Sequence, residues 1–168
     1  MISHIMAVVL LGSSYTWWVA DDAVLQAPVL ASILTRCAGI YDMAAMIQQS
    51  KGRDADAQVM TNHGNDAEKA AAALLMVSGT VEDQANVTAN EQRRSQAMYH
   101  MAFLQAGQGD ALVKTWTRCT KEYMPIQEAV LTALRAYAKQ GKEDQALWSR
   151  MIIEAINRPS DGSGSPSP

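Results

Sequence analysis

The sequence predicts an all-α protein: a single-domain bundle of about five helices, stapled by one disulfide. Three observations lead there. Alanine and methionine are abundant while aromatic residues make up only 6%, a balance that favours helix over strand. Apolar residues recur at spacings of three and four in segment after segment, which marks one face of a helix. No run alternates apolar and polar residues between turns, and no Asn-Gly or Asp-Gly pair joins two apolar runs. The 168 residues are enough for one domain with a buried core.

The amino terminus comes first. Residues Ile5 to Leu11 form an uncharged apolar run, followed by the small residues Gly12, Ser13 and Ser14 and then by Trp17 and Trp18. That order resembles an export leader, although no Lys or Arg precedes the run and no clean small-x-small cleavage site follows it. Residues 1–20 are therefore assigned to a signal segment. Two other readings stay open. One is a retained membrane anchor, for which the Ile5 to Ala20 run is slightly short. The other is a buried first helix of a cytoplasmic protein.

Asp21 and Asp22 can cap the next helix, with Pro28 near its first turns. Its stripe is Leu30, Ile33, Leu34, Cys37, Ile40, Tyr41, Ala44 and Ile47, and Ser50, Lys51 and Gly52 stop it. In the polar stretch that follows, Gly64 reads as a break and Asn65 or Asp66 as the cap of an alanine-rich helix ending at Gly79. Its run from Ala70 to Val77 lets helices approach closely. Thr80 and Asp83 resemble a capping box. From Val81 to Gln96 the third helix reads as exposed, with Arg93 and Arg94 on solvated surface and Glu91 to Gln96 as a weak binding face. It becomes apolar from Met98 to Leu104.

Gly107, Gln108 and Gly109 make a turn, and Asp110 caps a helix striped by Leu112, Val113, Trp116, Cys119, Tyr123, Ile126, Val130, Leu134 and Tyr137. Pro125 should kink or split it. Gly141 ends it, and a last helix covers Lys142 to Asn157 with Leu147, Met151, Ile152 and Ala155 inward. The bundle thus spans residues 21–158, and 159–168 read as a flexible tail rich in Ser, Gly and Pro.

The two cysteines sit in the same phrase, Thr-Arg-Cys-x-x-x-Tyr, at Thr35 to Tyr41 and Thr117 to Tyr123. Both lie on inward stripes, so each has one available partner. In an exported protein that arithmetic gives a Cys37–Cys119 bridge. Two separate core thiols are the alternative. The flanks of the two phrases do not match, which argues for convergence over duplication.

The chain carries no P-loop, no dinucleotide fingerprint, no nucleophile elbow, no zinc-protease motif and no paired Glu-x-x-His, so an enzyme is not expected and no cofactor is assigned. A net charge of −3 and the lack of a basic stripe make nucleic acid an unlikely partner. Met98, His100 and Met101 form the one cluster worth weighing as a ligand face, since thioethers and imidazole can bind copper, with Met43 and Met46 near enough to contribute from another helix. The plainer reading places both methionines in the core and His100 at the rim. Asn86, Val87 and Thr88 form a glycosylation sequon that matters only in a eukaryotic secretory pathway. The expected function is a small exported, non-catalytic module that binds another envelope protein, in the periplasm or outside the cell. A small apolar-ligand binder and a membrane-anchored protein, touching the bilayer only through residues 1–20, are the alternatives.

Overall fold

The computed structural model describes the backbone of residues 15–139 and 145–157, and the side chains of 26–139 and 149–157. The leader before Tyr15, the Gly141 break and the tail from Pro159 lie outside the described residues. Helix α1 (Tyr15–Ser50) is followed by α2 (Asp54–Val77), α3 (Glu82–Gln105), α4 (Gly109–Arg118), a π-helical turn (Cys119–Tyr123), α5 (Met124–Lys139) and α6 (Gln145–Asn157). Arg118, Cys119 and Met124 keep right-handed helical backbone angles. The run from Gly109 to Lys139 is thus one rod, and the described residues form the five helical rods expected.

The π turn follows from Pro125. A proline ring clashes with the carbonyl four residues back, here Lys121, and offers no N–H in return. Widening the turn relieves the conflict: the Met124 N–H donates to the Cys119 carbonyl, five residues back. The backbone stays helical through the turn.

Helix α1 is the axis. It packs against α2, α3, α4, the π turn and α6, while α5 packs against α2 and α6. Leu34, Cys37, Ile40 and Tyr41 are buried as the stripe predicts, and Ala31, Ala38 and Met43 are buried beside them. A central helix needs more than one apolar side. Two clusters form the core. One gathers Leu34, Ala70 to Leu74, Val77, Ala85, Ala89, Val130, Leu131 and Ile152. The other surrounds Cys37 and Cys119 with Ile40, Tyr41, Met43 and Leu112. Burial of the Tyr41 ring pushes its phenol up to about 12.

Several local expectations need correction. Asp21 and Asp22 do not start a helix, because α1 already begins at Tyr15 and runs through exposed Pro28. Ala27 and Ala31, fully buried on either side of the proline, supply packing that outweighs its helix-breaking tendency. Gly64 is not a break. It is buried within α2, and neither Asn65 nor Asp66 is a cap. Thr80 makes no capping box: Val81, extended at φ −67 and ψ 150, is the residue before α3. The stops at Gly52, Gly79 and Gly107 are as predicted, each with positive φ. At Gly79, the Thr80 N–H reaches the Leu75 carbonyl and the Gly79 N–H the Met76 carbonyl, the crossed pair that closes a helix on a left-handed glycine.

Helix α3 faces the other way from the expectation. Its inward row is Ala85, Ala89, Arg93, Ala97 and His100. Met98, Tyr99 and Leu104, read as core, are exposed. The cause is a near-contact of backbones. A Cβ built on Gly39 of α1 would lie 2.6 Å from the Gln96 Cβ and 2.7 Å from the Ala97 nitrogen. Only small residues fit at that crossing, so the small row of α3 turns inward and its larger apolar residues lie off it.

Gly39→Ala is expected to destabilise the bundle despite the higher helix propensity of alanine. The propensity gain is about 1 kcal/mol. Overpacking costs about 1–3 kcal/mol and sometimes more, and here part of the clash is with backbone, which cannot swing aside. Urea unfolding of the two proteins decides the sign; a variant as stable as the parent would mean that the helices separate freely at this crossing.

Candidate functional site

Cys37 and Cys119 are bonded, with Cα atoms 5.4 Å apart across 82 residues of sequence. Both are buried. The shared phrase does not give shared surroundings. Thr35 is buried and its hydroxyl donates to the Ser32 carbonyl, whereas exposed Thr117 donates to the Val113 carbonyl. Arg118 pairs with Glu122 and donates to the Tyr123 hydroxyl. Arg36 has no ion-pair partner among the described residues.

The largest departure from expectation is Arg93. It is not solvated surface: its side chain is only 10% exposed and ties three helices together. Its Nε donates to Asp42 Oδ2 of α1 at 2.6 Å and its Nη2 to Asp42 Oδ1, a bidentate pair. Its Nη1 donates to Asn65 Oδ1 at 2.8 Å and to Glu68 Oε2 at 2.7 Å, both on α2. Asn90 donates to the other oxygen of Glu68. The Asp42 hydrogen bonds, ahead of the other causes, hold the guanidinium even higher than usual. Gly64 leaves the space: a Cβ there would sit 2.9 Å from Arg93 Nη2 and 3.0 Å from Asp42 Oδ1. Sequence reasoning missed Asp42, Asn65 and Glu68. One available signal was the four-residue spacing that puts Arg93 in line with Ala85, Ala89 and Ala97. The cluster is fully paired, so its chemistry is structural.

Concavities lie on both sides of α3. An open groove of about 700 Å3 runs between α1, α2 and α3. Met46 and Met98 stand on it with Ala45, Ala57 and Ala97, and Arg94 and Asp54 bring charge to its edges. Each helix contributes residues three or four apart, so the groove follows the valley where three helices meet. On the other side a pocket of about 260 Å3 lies between α1, α3 and α4.

The proposed ligand face is therefore split. Met98 is 70% exposed on the groove and is not a core gap-filler. His100 is 3% exposed, lines the smaller pocket and is not at the rim. Met101 is partly buried and packs against the cluster around the cystine. Residues two apart on a helix point to nearly opposite sides, so Met98 and His100 face different concavities of α3. Among the described residues no group of three His, Cys, Asp or Glu is placed to hold a metal ion. Glu82 and Asp83 lie in the exposed first turn of α3, where acids suit the helix dipole.

His100 Nε2 lies 3.3 Å from the Arg36 carbonyl. Burial pushes its imidazole below the ordinary 6.5; the carbonyl contact opposes this and the Arg36 charge adds to it. The unfolded chain then takes up the proton at higher pH than the folded one. Stability is intact above about pH 6.5 and falls as pH drops below it. His100→Gln is expected to shrink the stability difference between pH 7.5 and pH 5, read by urea unfolding at each pH. An unchanged difference would show that other groups govern the acid limb.

No protein-family model, curated protein or solved structure matches this chain.

Proposed function

We propose that the chain is an exported, disulfide-stapled helical module that acts by binding another protein of the envelope and catalyses no reaction. The observation that carries this reading is the buried Cys37–Cys119 bond. Such bonds persist in oxidising compartments and are rare among cytoplasmic proteins. The apolar leader-like run before Tyr15 is consistent with export. The α1–α2–α3 groove, with exposed thioethers at Met46 and Met98, is a surface of the adaptable kind that protein partners use.

The retained-anchor alternative draws on residues 1–20. Among the described residues one stretch, Gln26–Ser50 of α1, is long and apolar enough to cross a bilayer, but half of its most apolar window is buried inside the bundle. Packing in a core explains that half without a membrane.

The test is the mass of protein isolated from its native source, alkylated with and without prior reduction. No alkyl uptake without reduction, and two groups after it, is expected. Uptake of two groups without reduction would leave the cysteines as thiols in the cell and remove the case for export.

A further inference from the structure

The pocket between α1, α3 and α4 brings together features the protein-binding reading does not use. Arg36, Gln96, Tyr99, His100, Phe103 and Leu112 line it. Tyr99 and Phe103 are stacked at a tilt, with ring centroids 4.5 Å apart. We propose that this pocket binds a small single-ring aromatic acid bearing a hydroxyl group. The ring lies against Tyr99 and Phe103, the carboxylate meets Arg36, and the hydroxyl donates to His100.

Each part is argued from a group that lines the pocket. His100 is 97% buried (3% exposed), and its Nε2 is engaged by the Arg36 carbonyl, an acceptor. Nε2 therefore carries the hydrogen, and Nδ1 remains as a lone pair. Burial favours the uncharged ring, so the pocket offers an acceptor that calls for a donor. The Arg36 guanidinium is exposed, close enough to act electrostatically on His100, and without an ion-pair partner among the described residues. It calls for an anion, and a planar carboxylate matches its fork. The exposed Tyr99 face calls for an apolar or aromatic surface. The volume of about 260 Å3 lies below the range of about 300–1,000 Å3 usual for drug-sized ligands, which limits the occupant to roughly one ring. A plain aromatic acid would leave His100 unanswered, and a plain phenol would leave Arg36 unanswered. The site stands apart from export and from the groove on the other side of α3, and its test is independent of both.

The test is an amide NMR titration of the intact, oxidised chain with 4-hydroxybenzoate, benzoate and phenol at neutral pH. 4-Hydroxybenzoate is expected to shift the amides of Gln96, Tyr99, His100 and Phe103 saturably. Benzoate and phenol should each bind at least roughly tenfold more weakly, since each loses one hydrogen-bonded partner. Arg36→Gln, at an exposed position, should weaken 4-hydroxybenzoate and leave phenol unchanged. His100→Leu should erase the preference for 4-hydroxybenzoate over benzoate. No saturable shift with 4-hydroxybenzoate, equal affinity for all three probes, or an Arg36→Gln variant that binds 4-hydroxybenzoate as the parent does would each overturn the proposal.

Discussion

Arg93→Leu is expected to cost about 3–5 kcal/mol, the usual penalty for removing one partner of a buried ion pair. The guanidinium is 10% exposed and the Asp42 and Glu68 side chains are 24% and 22% exposed. Leucine leaves the Asp42 and Glu68 carboxylates and the Asn65 carbonyl without their donor, and apolar surface takes the place of the guanidinium. Partial exposure of the acids sets the loss at the lower end of the range. Arg93→Lys separates charge from geometry. It keeps the positive charge but cannot hold Asp42 with two parallel bonds while reaching Asn65 and Glu68. Its loss should be smaller than that of leucine and still measurable. Replacing Arg93, Asp42 and Glu68 together by Met, Leu and Leu should recover most of the stability, because what leucine alone costs is the orphaned charge. Urea midpoints at constant m read all three. A leucine variant within about 0.5 kcal/mol of the parent would put Arg93 among ordinary surface positions.

That arginine also shows what the sequence made legible. Helix positions followed from apolar spacing wherever the stripe was made of large residues, as on α1 from Leu30 to Tyr41 and along the rod at Leu112, Cys119 and Val130, although Val113, placed on the same stripe, is exposed. The cystine followed because two cysteines fell on two such stripes. Reading failed where packing was done by small or charged residues. On α3 the inward row is alanine, arginine and histidine, which a hydrophobicity pattern scores as solvent-facing. The rotation of α3 depends on Gly39, on another helix and more than fifty residues away in sequence. Gly64 looked like punctuation for the same reason: its missing side chain serves Arg93, not the backbone. The ligand-face cluster fell because Met98, His100 and Met101 were grouped by nearness in sequence, whereas residues two apart on a helix point to nearly opposite sides.

The double replacement Cys37→Ala, Cys119→Ala is expected to destabilise the protein by ~4.5 kcal/mol in the chain-entropy account, for a bridge spanning 82 residues. That is comparable with the whole stability of many domains, and it corresponds to a fall in Tm of roughly 10–15 °C for a chain of this size. The bridge lies where it matters: it fastens α1, packed with α2 and α3, to the rod that carries α4 and α5. Two contributions are mixed in the variant, the lost cross-link and the lost packing of two buried sulfurs in the cluster with Ile40, Tyr41 and Leu112. Reduced parent protein keeps the sulfur atoms and loses only the bond. If the cross-link dominates, reduced parent and alanine variant should unfold at similar urea concentrations. Both should show a larger m than the oxidised parent, because an unbridged unfolded chain exposes more surface. A loss below about 1 kcal/mol with unchanged m would mean that the bundle closes without its staple and that the sulfurs act as small hydrophobes.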